Sequence, residues 1–524
     1  MNKHYLILIL IGLIFLVTRL YQISEIPVSL YWDEASIGYN AFSVGKDLKD
    51  EWGEFLPIHF RAFGEFKLPV YIYSSAIFVK IFGLSELAVR LPAVLFSLGT
   101  LLIIYFLILE ISKKKIAALA GGFLFTISPW FFIFSRTGYE ATAGVMFYLL
   151  GTYINIKYKN GWILFLGLLS FILSIYSYNS FRILAPITLF LFIGINTWQS
   201  KFNKKNILLS LFFISLFAVS LIPVIRLFIY DAGFGRAQAF SLIPSVQQVY
   251  DLSGKPQLQI IFDRSGSTNW GTNFLTVINN YFSHLSFNFL FLGDPNPRSQ
   301  NPGVGQIYYL DLILFALGLL YIKITKNKKA LILIFLMFLS ILPGSLFKEA
   351  PHALRTLSFV PFFCIINAFG FQFLYEKHKK IAILICGAYF ILFCNYFYNF
   401  ITLYNFNTSK DWQLAYKQLF VNYKNEFKEF DKVIITDDLA QPYIFALYYL
   451  KYDPQSFRKE VKYNSIDRWG QSAAAQIGNL EFRKPLEEDF SKQRVLIFSE
   501  YQLDGASDQI KGINNQPLIW VYRK

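Results

Sequence analysis

The sequence is poor in the side chains that staple small folds or bind metal ions. It holds 3 cysteines and 5 histidines in 524 residues. Cys364, Cys386 and Cys394 all lie inside apolar runs, which argues against a disulfide framework and against a cysteine-type metal site. The sequence also lacks a glycine-rich phosphate loop, an internal repeat and a low-complexity tract. These absences leave hydrophobic patterning as the main source of information.

Charged residues are scarce as well. They make up 16% of the chain, whereas 55% is hydrophobic and 19% aromatic, with a mean hydropathy of +0.41. This composition is typical of a polytopic membrane protein. The net charge of +15 would suit nucleic acid. However, the lysines fall in short clusters between apolar runs, as they do in cytoplasmic loops, so we expect no nucleic-acid partner.

About eleven apolar runs approach the roughly 20 residues that a membrane-spanning helix needs. They are residues 4–23, 88–110, 116–134, 139–156, 162–178, 181–199, 206–229, 306–323, 330–347, 353–375 and 380–402. The first run lacks a small-residue cleavage site, so we predict a retained helix rather than a signal peptide. If residues 68–83 do not span the membrane, every lysine cluster lies on the same side of it, as the positive-inside bias requires. We therefore predict an interfacial or re-entrant helix there.

This topology predicts two domains. Residues 1–402 form an all-α polytopic membrane domain with a first outer loop at 24–87 and a long outer loop at 230–305. From residue 403 onward, strand-like runs such as "DKVIITDD", "RVLIFSE" and "PLIWVYR" alternate with helical stretches. That alternation predicts a small α/β domain at 403–524, outside the membrane.

Charged groups collect on the predicted outer side. Because such groups are costly at membrane depth, each one that faces a cavity is a functional candidate. The acids are Asp33, Glu34, Glu65 and Glu140, and the bases are Arg61, Lys67, Arg136, Arg182, Arg298, His352 and Arg355. Acids can act as general bases, and Arg and Lys match the charge and geometry of phosphate. The mixture suits a lipid-linked phosphate donor and a hydroxyl acceptor.

Each of these residues also has a structural explanation. Asp33 and Glu34 would stabilise the start of the following helix, where acids interact favourably with the helix dipole. Glu140 stands four residues after Arg136, a spacing that favours an ion pair. Lys67 and Arg182 would extend from the membrane interface toward water, and His352 with Arg355 would stabilise a helix start.

Several motifs resemble the N-terminal region of polytopic glycosyltransferases of the GT-C fold. These are "YWDEASIGYNAFSVGKD", then "FRAFGEFKLPVYIY" and "FGLSELAVRLP", followed by "SPWFFIFSRTGYEA" and "APHALRTLSFVPFF". The most similar group is the bacterial branch related to protein O-mannosyltransferases and to the aminoarabinose transferase of lipid A, families 39 and 83. The resemblance covers about residues 1–400. The sequence departs from the family at Glu140, where relatives carry an aspartate.

The resemblance implies a mechanism. The donor would be a polyprenyl-phosphate-linked sugar, and the acceptor hydroxyl would attack its anomeric carbon directly, with inversion. Asp33 would be the general base, and Glu34 would raise its proton affinity or orient the acceptor. The resemblance makes Glu140 a further catalytic candidate. The carrier phosphate would be bound by cations at Lys67, Arg136, Arg182, His352 and Arg355.

No cofactor and no metal are expected in this scheme, although oligosaccharyltransferases of the same fold hold a metal with acids, a role that Glu140 leaves open. The acceptor would be a protein, a glycolipid or a cell-wall glycan. We expect a multi-pass protein of the cell membrane whose active site and C-terminal domain are extracytoplasmic.

A flippase or other transporter of lipid-linked sugars is one alternative function. However, the charges lie at the outer ends of the helices rather than at the bilayer midplane in paired halves, where transporters tend to place them. A non-catalytic surface scaffold is the other.

Overall fold

The computed structural model describes residues 3–63, 65–159, 161–199, 201, 203–230, 247–250, 256–259, 270–437, 441–464 and 473–524. Contacts within the chain divide it into two compact units. The helical unit comprises residues 3–21, 93–230 and the described part of 237–400. The mixed unit comprises residues 22–92 and the described part of 401–524. Within the predicted outer loop 230–305, residues 231–246, 251–255 and 260–269 lie outside the described residues.

A helix lies at each of the predicted apolar runs. These helices are α1 (Lys3–Leu20), α4 (Glu86–Ser112), α5 (Lys115–Ile127), α6 (Pro129–Phe134), α7 (Ala141–Lys157), α8 (Gly161–Ile175), α9 (Phe181–Gln199), α10 (Lys204–Tyr230), α12 (Tyr309–Thr325), α13 (Lys328–Leu339), α14 (Leu342–Ser345), α15 (Phe359–Lys377) and α16 (Lys379–Thr408). Over the described ranges, 7 helical stretches are long and apolar enough to cross a membrane. The chain is therefore a multi-pass membrane protein.

Two helices occupy the first loop, α2 (Trp32–Asp47) and α3 (Pro69–Phe82). The α3 helix is apolar but has only 14 residues. At about 1.5 Å per residue it is roughly 21 Å long, shorter than the roughly 30 Å hydrocarbon core of a bilayer. It begins with Pro69 at its first helical position, where a missing N–H costs nothing. Its length and composition suit the predicted interfacial helix.

The remaining part of the helical unit contains shorter elements between α10 and α12. They are the paired strands β3 (Gln247–Tyr250) and β4 (Pro256–Gln259), helix α11 (Trp270–Ser283), a π-helical turn at Asn288–Leu292 and a 3₁₀ turn at Pro297–Ser299. The predicted outer loop 230–305 is therefore partly helical, and α11 was not predicted.

The C-terminal residues form the α/β fold that the strand pattern predicts. The strands are β5 (Lys432–Ile435), β6 (Lys462–Tyr463), β7 (Ala474–Ile477), β8 (Leu480–Phe482), β9 (Val495–Ser499), β10 (Asp508–Lys511) and β11 (Pro517–Arg523), and the helices are α17 (Leu414–Asn422), α18 (Pro442–Tyr449) and α19 (Pro454–Glu460). The described strands form one 7-stranded sheet in the order β10-β11-β9-β5-β8-β7-β6. Strand β5 runs parallel to both β8 and β9. Buried Ile434, Val495 and Ile497 form its core, as expected of apolar runs in central strands.

The mixed unit joins the first loop to the C-terminal chain through side-chain contacts. A short hairpin, β1 (Phe60–Ala62) with β2 (Glu65–Lys67), lies between α2 and α3. Arg458 on α19 pairs with Asp47 at the end of α2 and donates to the Asp50 carbonyl at 3.0 Å. At Gly38, a Cβ would stand 2.6 Å from the Tyr448 ring, so only glycine fits between α2 and α18. The predicted boundary between residues 402 and 403 stays a prediction.

Candidate active site

The first turn of α2 carries the paired acids, and their environments differ sharply. The Asp33 side chain is 26% exposed, whereas Glu34 has no exposed surface. Successive residues at the start of a helix point in different directions, about 100° apart. One turn therefore presents Asp33 outward and directs Glu34 into the core of the mixed unit.

Asp33 forms an ion pair with Lys67, and both belong to the mixed unit. The Lys67 Nζ donates to Asp33 Oδ1 at 2.6 Å. The lysine is 4% exposed, so its charge acts in surroundings poor in water. It ends strand β2 and stands two residues before Pro69, the first residue of α3. The hairpin and the helix thus hold the ammonium group beside the more exposed acid. Both residues were predicted, and the structure brings them together.

Glu34 does not have the environment of a catalytic acid. Arg90 donates to it through Nε at 3.0 Å and through Nη2 at 3.2 Å, and both side chains are fully buried. Glu34 also accepts the backbone N–H of Tyr31 at 3.2 Å, which stabilises the start of α2. The structural explanation, stabilisation of the helix start, is confirmed for this residue. Because the carboxylate is enclosed and paired, contact with an acceptor is not available to it in this structure.

A second acidic pair, Asp50 and Glu51, was missed by sequence reasoning. Both residues follow α2 in the mixed unit and are 0% and 1% exposed. Burial, together with the neighbouring Asp50 carboxyl, raises the pKa of Glu51 to about 8, and the positive charge of Lys67 opposes this increase. Their local sequence, "KDEWG", reads as an ordinary polar turn. Burial of these acids comes from residues distant in the chain, which is why no local signal marked them.

Arg136, predicted to bind phosphate, stabilises the end of α1 instead. It is fully buried in the helical unit, where Nη1 donates to the Thr18 carbonyl and Nη2 to the Tyr21 carbonyl at 2.7 Å. Its guanidinium also lies over the Phe400 ring, 5.0 Å from the centroid. A cation at a helix C-terminus binds carbonyls that have no partner within the helix. The phosphate assignment of Arg136 is therefore replaced by a structural one.

Glu140 and Arg182 lie near each other in the helical unit. Glu140 is the residue before α7, and Arg182 is the second residue of α9; both are half-buried. The carboxylate of Glu140 and the guanidinium of Arg182 attract each other. The pairing predicted from spacing was Glu140 with Arg136. Both roles predicted from the resemblance, Glu140 as a catalytic acid and Arg182 as a phosphate ligand, stay predictions.

His352 and Arg355 lie in a turn that polar groups of the helical unit hold in place. The backbone N–H of His352 donates to His284 Nε2 at 3.0 Å, and the N–H of Ala353 donates to Asp294 Oδ2 at 2.6 Å. Ser180 donates to the Arg355 carbonyl at 2.9 Å. The turn between α8 and α9 therefore meets the turn before α15. His284 and Asp294 were not predicted as site residues.

The two imidazoles of this turn are neutral at ordinary pH. Burial lowers the pKa of His284 to about 4, and burial together with the charge of Arg355 lowers the pKa of His352 to about 3. Neutral His352 can donate a hydrogen bond to a phosphate, and its predicted role as a phosphate ligand stays a prediction. Arg355 donates to Glu349 Oε2 at 3.2 Å.

The predicted site residues thus fall into two sets. Asp33, Glu34 and Lys67 belong to the mixed unit, as do the candidates Arg61 and Glu65. The helical unit contains Glu140, Arg136, Arg182, Arg298, His352 and Arg355. Their convergence on one cleft stays a prediction. Over the described ranges, no three His, Cys, Asp or Glu side chains are grouped as metal ligands would be. The expectation that the reaction uses no metal stays a prediction.

Residues 67–223 match the family model described as dolichyl-phosphate-mannose-protein mannosyltransferase. No curated protein sequence is similar enough to count as a relative. The structure is similar to that of ArnT from Cupriavidus metallidurans bound to undecaprenyl phosphate, with a TM-score of 0.55 at 8% identity, over 99% of this chain and 97% of that one.

It is also similar to the archaeal oligosaccharyltransferase AglB from Archaeoglobus fulgidus, in complex with an inhibitory peptide and a dolichol-phosphate. The TM-score is 0.51 at 14% identity, over 86% of this chain. The chain spans 64% of the length of that AglB chain. At these identities the likeness establishes the fold. The chain therefore has the GT-C fold of membrane glycosyltransferases and, across residues 67–223, matches the dolichyl-phosphate-mannose-protein mannosyltransferase family.

Proposed function

We propose that this protein is an integral-membrane glycosyltransferase that moves a sugar from a polyprenyl-phosphate donor to an acceptor hydroxyl. The observation that carries the proposal is the Asp33–Lys67 pair, a partly exposed carboxylate 2.6 Å from a nearly buried ammonium group. The family match and the two GT-C structures with bound polyprenyl phosphates support the donor class.

In the proposed reaction, the acceptor oxygen attacks the anomeric carbon as the bond from that carbon to the phosphate oxygen breaks. Asp33 takes the hydroxyl proton, and polyprenyl phosphate leaves with the electron pair. Direct displacement inverts the anomeric configuration. The charge that grows on the leaving phosphate is stabilised by Lys67, because an ammonium group in a water-poor site interacts strongly with developing negative charge.

We propose that Arg182 and Arg355 bind the carrier phosphate. Both are arginines, whose planar guanidinium matches phosphate oxygens. Glu34 and Arg136 take no part in this scheme, because the first is enclosed by Arg90 and the second is bound to carbonyl groups of the α1 terminus. Neutral His352 would contribute only a hydrogen bond.

The site would face the extracytoplasmic side, because that placement puts the lysine clusters in the cytoplasm. Single cysteines test this in a protein whose three native cysteines are replaced by alanine. A cysteine at exposed Phe55 should react with a membrane-impermeant maleimide on intact cells, and a cysteine at exposed Lys113 only after permeabilisation. The reverse pattern would contradict the placement.

Transfer from labelled undecaprenyl-phosphate mannose tests the reaction itself. The purified protein is reconstituted in lipid nanodiscs, with envelope material from a deletion strain as the acceptor. We expect Asp33→Asn to abolish transfer while leaving folding intact, and Glu54→Gln, at an exposed acid of the same loop, to transfer normally. Near-normal transfer by Asp33→Asn would remove Asp33 as the base. Parallel reactions with other undecaprenyl-phosphate sugars would identify the sugar.

A further inference from the structure

A groove opens in the helical unit between the C-terminal ends of α4 and α7. Its volume is about 260 Å³, and it is lined by Phe106, Leu109, Glu110, Lys113, Tyr153 and Lys157. The first four stand at positions i, i+3, i+4 and i+7, so they share one face of α4 and of the residue that follows it. Tyr153 and Lys157 are four residues apart on α7 and also share a face. Two helix faces therefore form the walls of this α4–α7 groove.

The acid among these lining residues is paired twice. Lys113 Nζ lies 2.6 Å from Glu110 Oε2, and Lys329 Nζ, at the start of α13, lies 2.8 Å from Glu110 Oε1. Each carboxylate oxygen thus has its own cation. An ammonium group carries three N–H donors, and the Lys113 side chain is 71% exposed. Positive charge therefore exceeds negative charge here, and donors remain for an anion.

A further lysine, on the α7 wall, is held by aromatic side chains instead of an acid. Lys157 Nζ donates to the Tyr153 hydroxyl at 2.8 Å. It also lies 5.2 Å from the centroid of the Tyr153 ring and 4.9 Å from that of Tyr158. Aromatic rings attract a cation without cancelling its charge. The ammonium group of Lys157 thus adds a fixed positive charge to the groove.

The α4 wall changes from charged to apolar along the helix. Phe106 stands seven residues before Lys113, which corresponds to about 10 Å along the helix axis. Its side chain is 43% exposed, and half-buried Leu109 lies between the two. A bilayer has the same layering, with charged headgroups outside a hydrocarbon core. A phospholipid lying along α4 would place its phosphate at the lysines and an acyl chain against Phe106 and Leu109.

We propose that the α4–α7 groove binds an anionic phospholipid of the cytoplasmic leaflet. Lys113 and Lys157 belong to the lysine clusters that the positive-inside bias places in the cytoplasm. Anionic lipids give the cytoplasmic leaflet its negative surface potential. A zwitterionic lipid fits less well, because the lysines repel the cation of its headgroup. The whole of α7, 17 residues or about 26 Å, separates Lys157 from Glu140. The proposal therefore does not rest on the proposed function.

Native mass spectrometry of the delipidated full chain in a non-ionic detergent tests the proposal without any turnover. The protein is titrated with phosphatidylglycerol and, separately, with phosphatidylcholine. We expect the first phosphatidylglycerol to bind more tightly than the first phosphatidylcholine. The double variant Lys113→Gln/Lys157→Gln should weaken phosphatidylglycerol binding by about 25-fold, or about 5-fold for each lysine.

A matched control removes two other lysines from the same predicted side. Lys204 and Lys205 are exposed at the start of α10, and Lys204→Gln/Lys205→Gln should bind phosphatidylglycerol as the wild type does. Equal affinities of the wild type for the two lipids, or equal losses in the two double variants, would overturn the proposal.

Two further measurements distinguish a lipid site from a general anion site and from a structural role. Glycerol 3-phosphate, a headgroup without acyl chains, should fail to displace bound phosphatidylglycerol, and displacement by it would overturn the assignment to a lipid. Glu110→Gln should tighten phosphatidylglycerol binding several-fold, because the lysines lose the acid that competes with the lipid for them. A purely structural role of these ion pairs predicts no such gain. An unchanged or weaker affinity in folded Glu110→Gln would contradict the proposal.

Discussion

Arg90 encloses the Glu34 carboxylate and binds the chain that leads into α2. Beyond its two bonds to Glu34, the guanidinium donates to the carbonyls of Ile23 at 2.8 Å, Pro27 at 2.9 Å and Ser29 at 2.6 Å. One fully buried cation thus fixes the entry to α2 and the orientation of its first turn. The direction in which the Asp33 side chain points therefore depends on the ion pair between Arg90 and Glu34.

We predict that Glu34→Gln destabilises the mixed unit strongly. The substitution leaves the Arg90 charge buried without its counter-ion, which typically costs about 3–5 kcal/mol. Arg90→Met should cost more, because three carbonyl groups also lose their donor. Unfolding in detergent, followed by circular dichroism, measures both. If Glu34→Gln unfolded at the same temperature as Asp33→Asn, the assignment of Glu34 as a structural residue would be wrong.

We predict that Lys67→Met lowers kcat/KM by about 100-fold or more, the usual effect of removing one group that stabilises a developing charge. Lys67→Arg should keep part of the activity, because it retains the charge but not the compact ammonium geometry. Initial rates at varied donor concentration provide the measurement. Lys46→Met is the matched control, since Lys46 pairs with Asp453 at the surface, where ion pairs contribute little. Equal losses for both lysines would contradict the role of Lys67.

We predict that Arg136→Met reduces stability rather than donor affinity. The variant removes charge-assisted hydrogen bonds to the carbonyls of Thr18 and Tyr21, worth about 3 kcal/mol together. Activity per folded molecule should be unchanged. Arg182→Met should show the opposite behaviour, a weaker donor affinity with a smaller loss of stability. A raised donor KM in folded Arg136→Met would restore the phosphate role predicted from sequence.

We predict that acid weakens the turn around His284. The pKa of its imidazole falls from 6.5 to about 4 on folding. Between pH 6.5 and about pH 4, the unfolded chain therefore binds a proton that the folded protein does not bind. Stability is therefore complete above about pH 6.5 and is lost as the pH falls toward 4, by up to about 3 kcal/mol.

Thermal unfolding at several pH values, compared with His284→Gln, isolates this contribution. Glutamine can still accept the His352 N–H but does not titrate, so the variant should lose less stability on acidification. Burial raises the pKa of Asp294 to about 6, which works in the opposite direction because folding then becomes more favourable on acidification. Asp294→Asn should therefore lose stability more steeply than the wild type. Identical pH profiles for wild type and His284→Gln would contradict the account.

The parts of the fold that the sequence predicted are those determined by the residue pattern within one stretch of the chain. Apolar runs of helix length define the membrane helices, and alternating strands define the C-terminal sheet. The short helix α3 was predicted from the lysine clusters. A membrane span at residues 68–83 would have placed the cluster at 113–115 on the opposite side of the membrane from the others. The shared location of Asp33 and Lys67 followed from the family resemblance, not from spacing.

The parts that sequence could not predict depend on contacts between distant residues. Glu34 and Asp33 are adjacent and chemically alike, and partners distant in the chain distinguish their roles: Arg90, 56 positions after Glu34, and Lys67, 34 positions after Asp33. Arg136 looked like a phosphate ligand because its carbonyl partners lie 118 and 115 positions earlier. Glu51 looked like a turn residue because nothing in its local sequence indicates that it is 1% exposed.

A structure determined with undecaprenyl phosphate tests the central claim most directly. The account predicts the phosphate within hydrogen-bonding distance of Lys67 Nζ, with the Asp33 carboxylate beside the position that the anomeric carbon would occupy. A phosphate bound away from Lys67, or a lipid that leaves Asp33 outside the cleft, would contradict it.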